Sequence, residues 1–123
     1  VRRDDMSNLE LVREITDAFC SNRLDQEVLG KYFARDFKHV ANGRETDLAG
    51  YSAHLAEYGS TYKHFRIPDW DELFESGDKV VASYTLEGET QSGEKQNMSV
   101  MAVWRIKGGK VASLREVDAT ETS

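Results

Sequence analysis

Two carboxylates stand two residues apart, Glu116 and Asp118, near the end of the segment KVASLREVD at 110–118. Side chains alternate along a strand, so an extended segment puts Ala112, Leu114, Glu116 and Asp118 on one face and Val111, Ser113, Arg115 and Val117 on the other. If the first set faces an enclosed space, burial raises the pKa values of the acids and prepares them for proton transfer. If it faces water, they are solubilising charges, and at a strand end they can also cap amides or pair with Arg66 or Arg105. His39 is the companion group. It alternates with Phe37 and Ala41, and its unperturbed pKa near neutrality suits it to general acid or base work beside either carboxylate. The candidate catalytic residues are therefore Asp118, Glu116 and His39.

A second set has the composition of a pocket wall. His54 lies between Tyr51 and Tyr58 at helical spacing, on the margin of an apolar stripe. Met98 and Trp104 alternate with Val100 and Ala102 in NMSVMAVWRI, the likeness of a strand's inner face. With Asn42 at a strand end, His54, Tyr51, Tyr58, Trp104 and Met98 are the candidate substrate-binding residues. A stripe of this kind is also what an ordinary core looks like, with only its rim touching ligand. No metal site is expected, because His39, His54 and His64 have neither an i, i+4 spacing nor a cysteine partner. No cofactor is expected, since the glycines sit at strand ends and form neither GxxxxGK nor GxGxxG. The single cysteine, Cys20, rules out an internal disulfide and reads as a small buried hydrophobe beside Phe19.

The elements that position these groups can be read from periodicity and caps. Ser7 or Asn8 caps a first helix with Leu11, Val12, Ile15, Ala18 and Phe19 at helical spacing, and Glu10 completes a capping box. Asp25 caps a shorter second helix carrying Val28, Leu29, Tyr32 and Phe33. A short strand over 37–41 ends at the turn signal Asn42-Gly43. Asp47 caps a third helix whose stripe is Leu48, Tyr51, Leu55, Tyr58 and Tyr62. Strand and turn grammar follows. HFRIPDWDELFES ends at Gly77-Asp78, KVVASYTLEGE is bounded by Gly88, and NMSVMAVWRI reaches the hairpin signal Gly108-Gly109. Pro68, the only proline, implies an edge or a bulge within the first of these long strands. Acids at 69, 71 and 72 around Trp70 suit a solvated edge. Helices first and strands afterwards predict an α+β fold: a mostly antiparallel, curved sheet around three N-terminal helices, leaving a pocket between the layers.

The chain has 123 residues, enough for one core, and we expect a single domain over 7–120 preceded by a flexible extension at 1–6. Sixteen basic against 22 acidic residues give a net charge of −6, which disfavours nucleic acid and anionic membrane as partners. No apolar run approaches the length of a membrane span and no signal peptide is evident, so a cytoplasmic location is expected. On the fourth strand, NMSVMAVWRI, the alternate set Ser99, Met101 and Val103 is apolar enough to be hidden by a second copy, which predicts a homodimer through the outer sheet face.

The element order, together with YFARDFKHVANG, FRIPDWDELFESGDKVV, Gly88, Gly93 and WRIKGGKVASLREVD, resembles the nuclear transport factor 2-like superfamily and, within it, the SnoaL-like branch. The resemblance spans 9–120. It implies a cone with a pocket at its open end, in a superfamily that includes polyketide cyclases, ketosteroid isomerases, dehydratases, epoxide hydrolases and non-catalytic binding modules. Isomerase machinery of the superfamily does not map onto this chain: its base position falls at about Ala41, its second acid at Ala102, and the first helix contains no tyrosine. SnoaL-like cyclases match better, since they carry a late acid on the final strand, at Asp118 or Glu116, and a histidine on the first, at His39. An epoxide-hydrolase arrangement is disfavoured because Arg115 is out of phase with the two acids. The resemblance implies a small-molecule ligand. The leading expectation is a cofactor-independent acid/base enzyme of cyclase, isomerase or dehydratase type acting on a small apolar carbonyl or polyketide-like substrate. The competing one is a ligand-binding or dimerisation module of the same fold.

Overall fold

Three side-chain caps start the three helices. In the computed structural model, which describes residues 7–121, Ser7 Oγ accepts the Glu10 N–H at the start of α1 (Asn8–Cys20). Asp25 Oδ1 accepts from Val28 at the start of α2 (Gln26–Tyr32), and Asp47 Oδ1 accepts from Gly50 at the start of α3 (Leu48–Thr61). Each bond satisfies an amide that the first helical turn leaves without a partner. The proposed extension at 1–6 lies outside the described residues.

Seven strands form one sheet: β1 (Phe33–Ala41), β2 (Arg44–Asp47), β3 (Tyr62–Arg66), β4 (Trp70–Ser76), β5 (Lys79–Thr90), β6 (Lys95–Lys107) and β7 (Lys110–Glu121). The order is β2-β1-β7-β6-β5-β3, with β4 also pairing β5. All pairings are antiparallel except β1 with β7. The α+β expectation therefore holds, with more strands than the four long ones predicted. The segment around Pro68 is two strands: β3 pairs the end of β5 near Gly88, β4 pairs its beginning, and Pro68, which has no amide hydrogen to give, falls in the break. Phe33 and Tyr62, read as helical, instead begin β1 and β3, and β2 is an unpredicted partner of β1 across the Asn42-Gly43 turn. Both turn residues have positive φ, 51° and 85°, which matches the strand twist in a two-residue hairpin.

A bulge in β7 corrects the face assignment of its first residues. Arg105 pairs Ser113 while Ile106 pairs Val111, so Ala112 is the extra residue on the β7 side. The insertion shifts the alternation by one. Val111 turns inward and is fully buried (0% exposed), while Leu114, Glu116 and Asp118 keep the inward phase predicted for them. The inner faces of β5 and β6 continue that surface with Val80, Ala82, Tyr84 and Leu86, and Met98, Val100, Ala102 and Trp104, all buried. The helices contribute Leu11, Val12, Ile15, Leu29 and Tyr51 to the same core.

Candidate functional site

Between sheet and helices lies a cavity of about 60 Å³, lined by side chains of α1, α3 and the inner sheet face. Its polar centre is built by strand register. His39 pairs with Leu114 and Ala41 with Glu116 across the parallel β1–β7 contact, so His39 and Glu116 are diagonal neighbours on the inner face. His39 Nε2 meets Glu116 Oε1 at 2.7 Å. The imidazole is 4% exposed and is boxed by Tyr51, edge-on at 4.6 Å between ring centroids, and by Phe37, stacked at 6.3 Å. A histidine that donates Nε2–H here leaves Glu116 Oε2 without a hydrogen-bond partner among the described residues. The result is a carboxylate held in place by one oxygen and available at the other.

Asp118 also lines the cavity, farther along β7. Its partner is Asn42, which does not line the cavity. Its left-handed backbone at the turn brings the amide against β7, where Nδ2 donates to Asp118 Oδ1 (3.1 Å) and Oδ1 accepts the Asp118 N–H (3.0 Å). Asn42 thus holds Asp118 in place from beside the cavity. The alternative partners considered for the acids are engaged elsewhere: Arg66 binds Glu87 at 2.8 Å and Arg105 approaches Asp78 at 4.0 Å.

Tyr51, Tyr58, His54, Trp104 and Met98, the candidate binding residues, all line the cavity. His54 is at the rim, exposed, 4.0 Å from Glu57 and against the Tyr58 ring. Tyr84 is a cavity-lining residue absent from the sequence reading of the site. It lines the cavity on β5, with Trp70 packed on its ring at 4.8 Å. The available signal was its phase, since Val80, Ala82, Tyr84 and Leu86 alternate in KVVASYTLEGE. Burial, reinforced by the Glu116 charge, pushes the Tyr51 and Tyr84 phenols far above their ordinary value. Tyr58 rises to about 12, from burial first and the charge of Asp118 next. These hydroxyls are neutral hydrogen-bond donors at physiological pH. Cys20, partly buried at the end of α1, is raised to about 11 by burial and by Asp17, opposite to what a thiolate nucleophile needs. Among the described residues there is no group of three or more His, Cys, Asp or Glu placed to hold a metal ion, and no helix is long and apolar enough to cross a membrane.

A curved, mostly antiparallel sheet closed by three helices over an apolar cavity defines an α+β cone of the nuclear transport factor 2-like class. The chain belongs to the SnoaL-like domain family, whose model matches residues 12–114. An uncharacterized protein of Schizosaccharomyces pombe is 24% identical over 106 residues, covering 86% of this chain and 81% of the relative. Among solved structures, a candidate polyketide cyclase from Pseudomonas putida superposes with a TM-score of 0.76 at 20% identity, covering 90% of each chain. An NTF2-like protein of unknown function from Burkholderia pseudomallei gives 0.71 at 23%, also covering 90% of each. AclR, a candidate hydroxylase from Streptomyces galilaeus, gives 0.75 at 18%, covering 89% of this chain and 73% of its own. At these identities the structural likeness establishes the fold.

Proposed function

We propose that the protein is a cofactor-independent acid/base enzyme acting on a small, apolar carbonyl compound. The observation that carries this reading is the 2.7 Å contact between His39 and Glu116 in the wall of an apolar cavity. Glu116 takes the proton from the carbon next to the carbonyl: the C–H bond breaks, an O–H bond forms on the carboxyl, and the electron pair moves onto the carbonyl oxygen. Return of the proton to a different atom completes an isomerisation or primes a ring closure. His39 holds the carboxylate and stabilises its charge. Tyr51, Tyr58, Met98 and His54 shape the chamber and its rim, and Asp118, closer to solvent and held by Asn42, exchanges protons with water.

The test uses 2-butanone and cyclopentanone in D2O, following loss of the α-proton NMR signals. The wild type should accelerate exchange over buffer, and Glu116→Gln should lose about 10²-fold or more of that acceleration, the scale of a general base. Exchange equal to buffer, or undiminished in Glu116→Gln, overturns the reading. One observation limits the size of the ligand portion that can enter. The cavity is about 60 Å³, well below the ~150 Å³ that takes up benzene in an engineered apolar cavity, so a polyketide-sized ligand must have most of its body outside.

The assembly we propose is a homodimer through the outer sheet face. Met101 and Val117 are directly paired there at 66% and 60% exposure, and exposed Phe74 extends the patch on β4. A single-domain organisation over 7–120 and a cytoplasmic location are part of the same reading.

A further inference from the structure

One cavity group is not used by the acid/base chemistry. Trp104 Nε1 is the only buried side-chain nitrogen or oxygen without a hydrogen-bond partner among the described residues. The residue is 3% exposed, so bulk water does not satisfy the indole N–H, and a buried donor left unpaired is costly enough that native proteins rarely keep one. A tryptophan needed only for packing could be replaced by phenylalanine without that cost. Trp104 lines the same cavity as His39 and Glu116. Register places it in the same row as His39: Trp104 pairs Leu114, and Leu114 pairs His39. The next inner-face row is Ala82, Ala102, Glu116, so the carboxylate lies one row from the indole.

We infer that Trp104 Nε1–H is the oxygen-binding donor of the cavity, and that its ligand is a compact neutral carbonyl rather than a carboxylate or phosphate. The sign of the charge follows from the lining. It holds Glu116 and Asp118, with His39 already bonded to Glu116, His54 at the exposed rim, and no lysine or arginine, so an anion inside would meet two carboxylates of like charge. The donor set agrees: an indole N–H and phenols that stay protonated can bind an acceptor oxygen but cannot neutralise an anion. This inference rests on reading the cavity as a small-molecule site; it does not require turnover.

The experiment is NMR on protein labelled with 15N-tryptophan, which shows one indole signal each for Trp70 and Trp104, the latter assigned by its loss in Trp104→Phe. The probes are 2-butanone and 2-methyl-1-butene, which replaces the ketone oxygen with CH2. Butanone should move the Trp104 Nε1–H signal downfield saturably, and the alkene should not. Trp104→Phe should weaken butanone binding about tenfold more than it changes alkene binding, as expected for loss of one hydrogen bond. The inference is overturned if butanone fails to bind, if the Trp104 signal is unmoved at saturation because a trapped water holds the N–H, or if the alkene shifts it equally. The wild-type titration decides the matter even if the variant does not fold. Glu116→Gln should retain the shift while losing proton exchange. A shift without exchange removes the enzyme reading and leaves this one, whereas exchange without a shift does the reverse.

Discussion

At the level of single residues, the polar centre is built from groups that would be costly to bury alone. Glu116 and His39 share one short contact, and the phenols around them keep their protons because burial and the Glu116 charge both oppose ionisation. This has a consequence at high pH. An unfolded chain releases phenolic protons near 10.0 and its thiol near 9.0, whereas the folded chain holds Cys20 to about 11, Tyr58 to about 12 and Tyr84 higher still. The unfolded state then binds fewer protons, so stability present below pH 9 falls as pH rises through 9–12. Urea midpoints measured across that range should decline steadily, and Tyr84→Phe, which keeps the ring and removes a titrating group, should flatten the decline. A midpoint constant to pH 11 would contradict the burial of these groups.

At the level of elements, two local devices hold the site in shape. The Asn42 turn ties β1 to β7 through a reciprocal pair of bonds to residue 118. Asn42→Ala loses both bonds and a residue that tolerates positive φ. We expect about 1–2 kcal/mol lower stability by urea denaturation, with greater amide hydrogen exchange at Asp118. The second device is Gly88 in β5, opposite Phe65. A Cβ there would lie 2.9 Å from the Phe65 ring and 3.1 Å from the Tyr62 ring. Those rings cannot swing away, since Phe65 is stacked on Phe19 at 5.0 Å and packed on Tyr62 at 4.6 Å. Gly88→Ala should therefore destabilise by about 1–3 kcal/mol, the range for overpacking a filled core. A neutral or stabilising result in thermal melts would show that the aromatic cluster yields.

At the level of the whole molecule, the inner sheet face is spent on the core and cavity, while the outer face retains large apolar side chains at Met101, Val117 and Phe74. Contiguous exposed apolar surface of this kind is usually covered by a partner. Sedimentation should report a dimer, and Met101→Glu with Val117→Lys should give a folded monomer with unchanged far-UV circular dichroism. A wild-type monomer at micromolar concentration would remove the dimer proposal.

Much of the architecture was written in local chemistry. Ser7, Asp25 and Asp47 announce helix starts because a side-chain oxygen must accept an amide that the helix cannot satisfy. Alternation in NMSVMAVWRI and around Glu116 and Asp118 sets which residues face inward, because one face of a strand must meet the core. Alternation is silent about insertions, so the Ala112 bulge and the inward turn of Val111 were not available from it. Nor could it join residues 77 positions apart: the His39–Glu116 contact depends on parallel register between β1 and β7, a long-range pairing that no local pattern encodes. The two carboxylates were visible as a pair in the chain. Only the sheet separated them, giving Glu116 to an imidazole in the cavity wall and Asp118 to Asn42 at the turn, because pairing partners are chosen by the packing of the whole core.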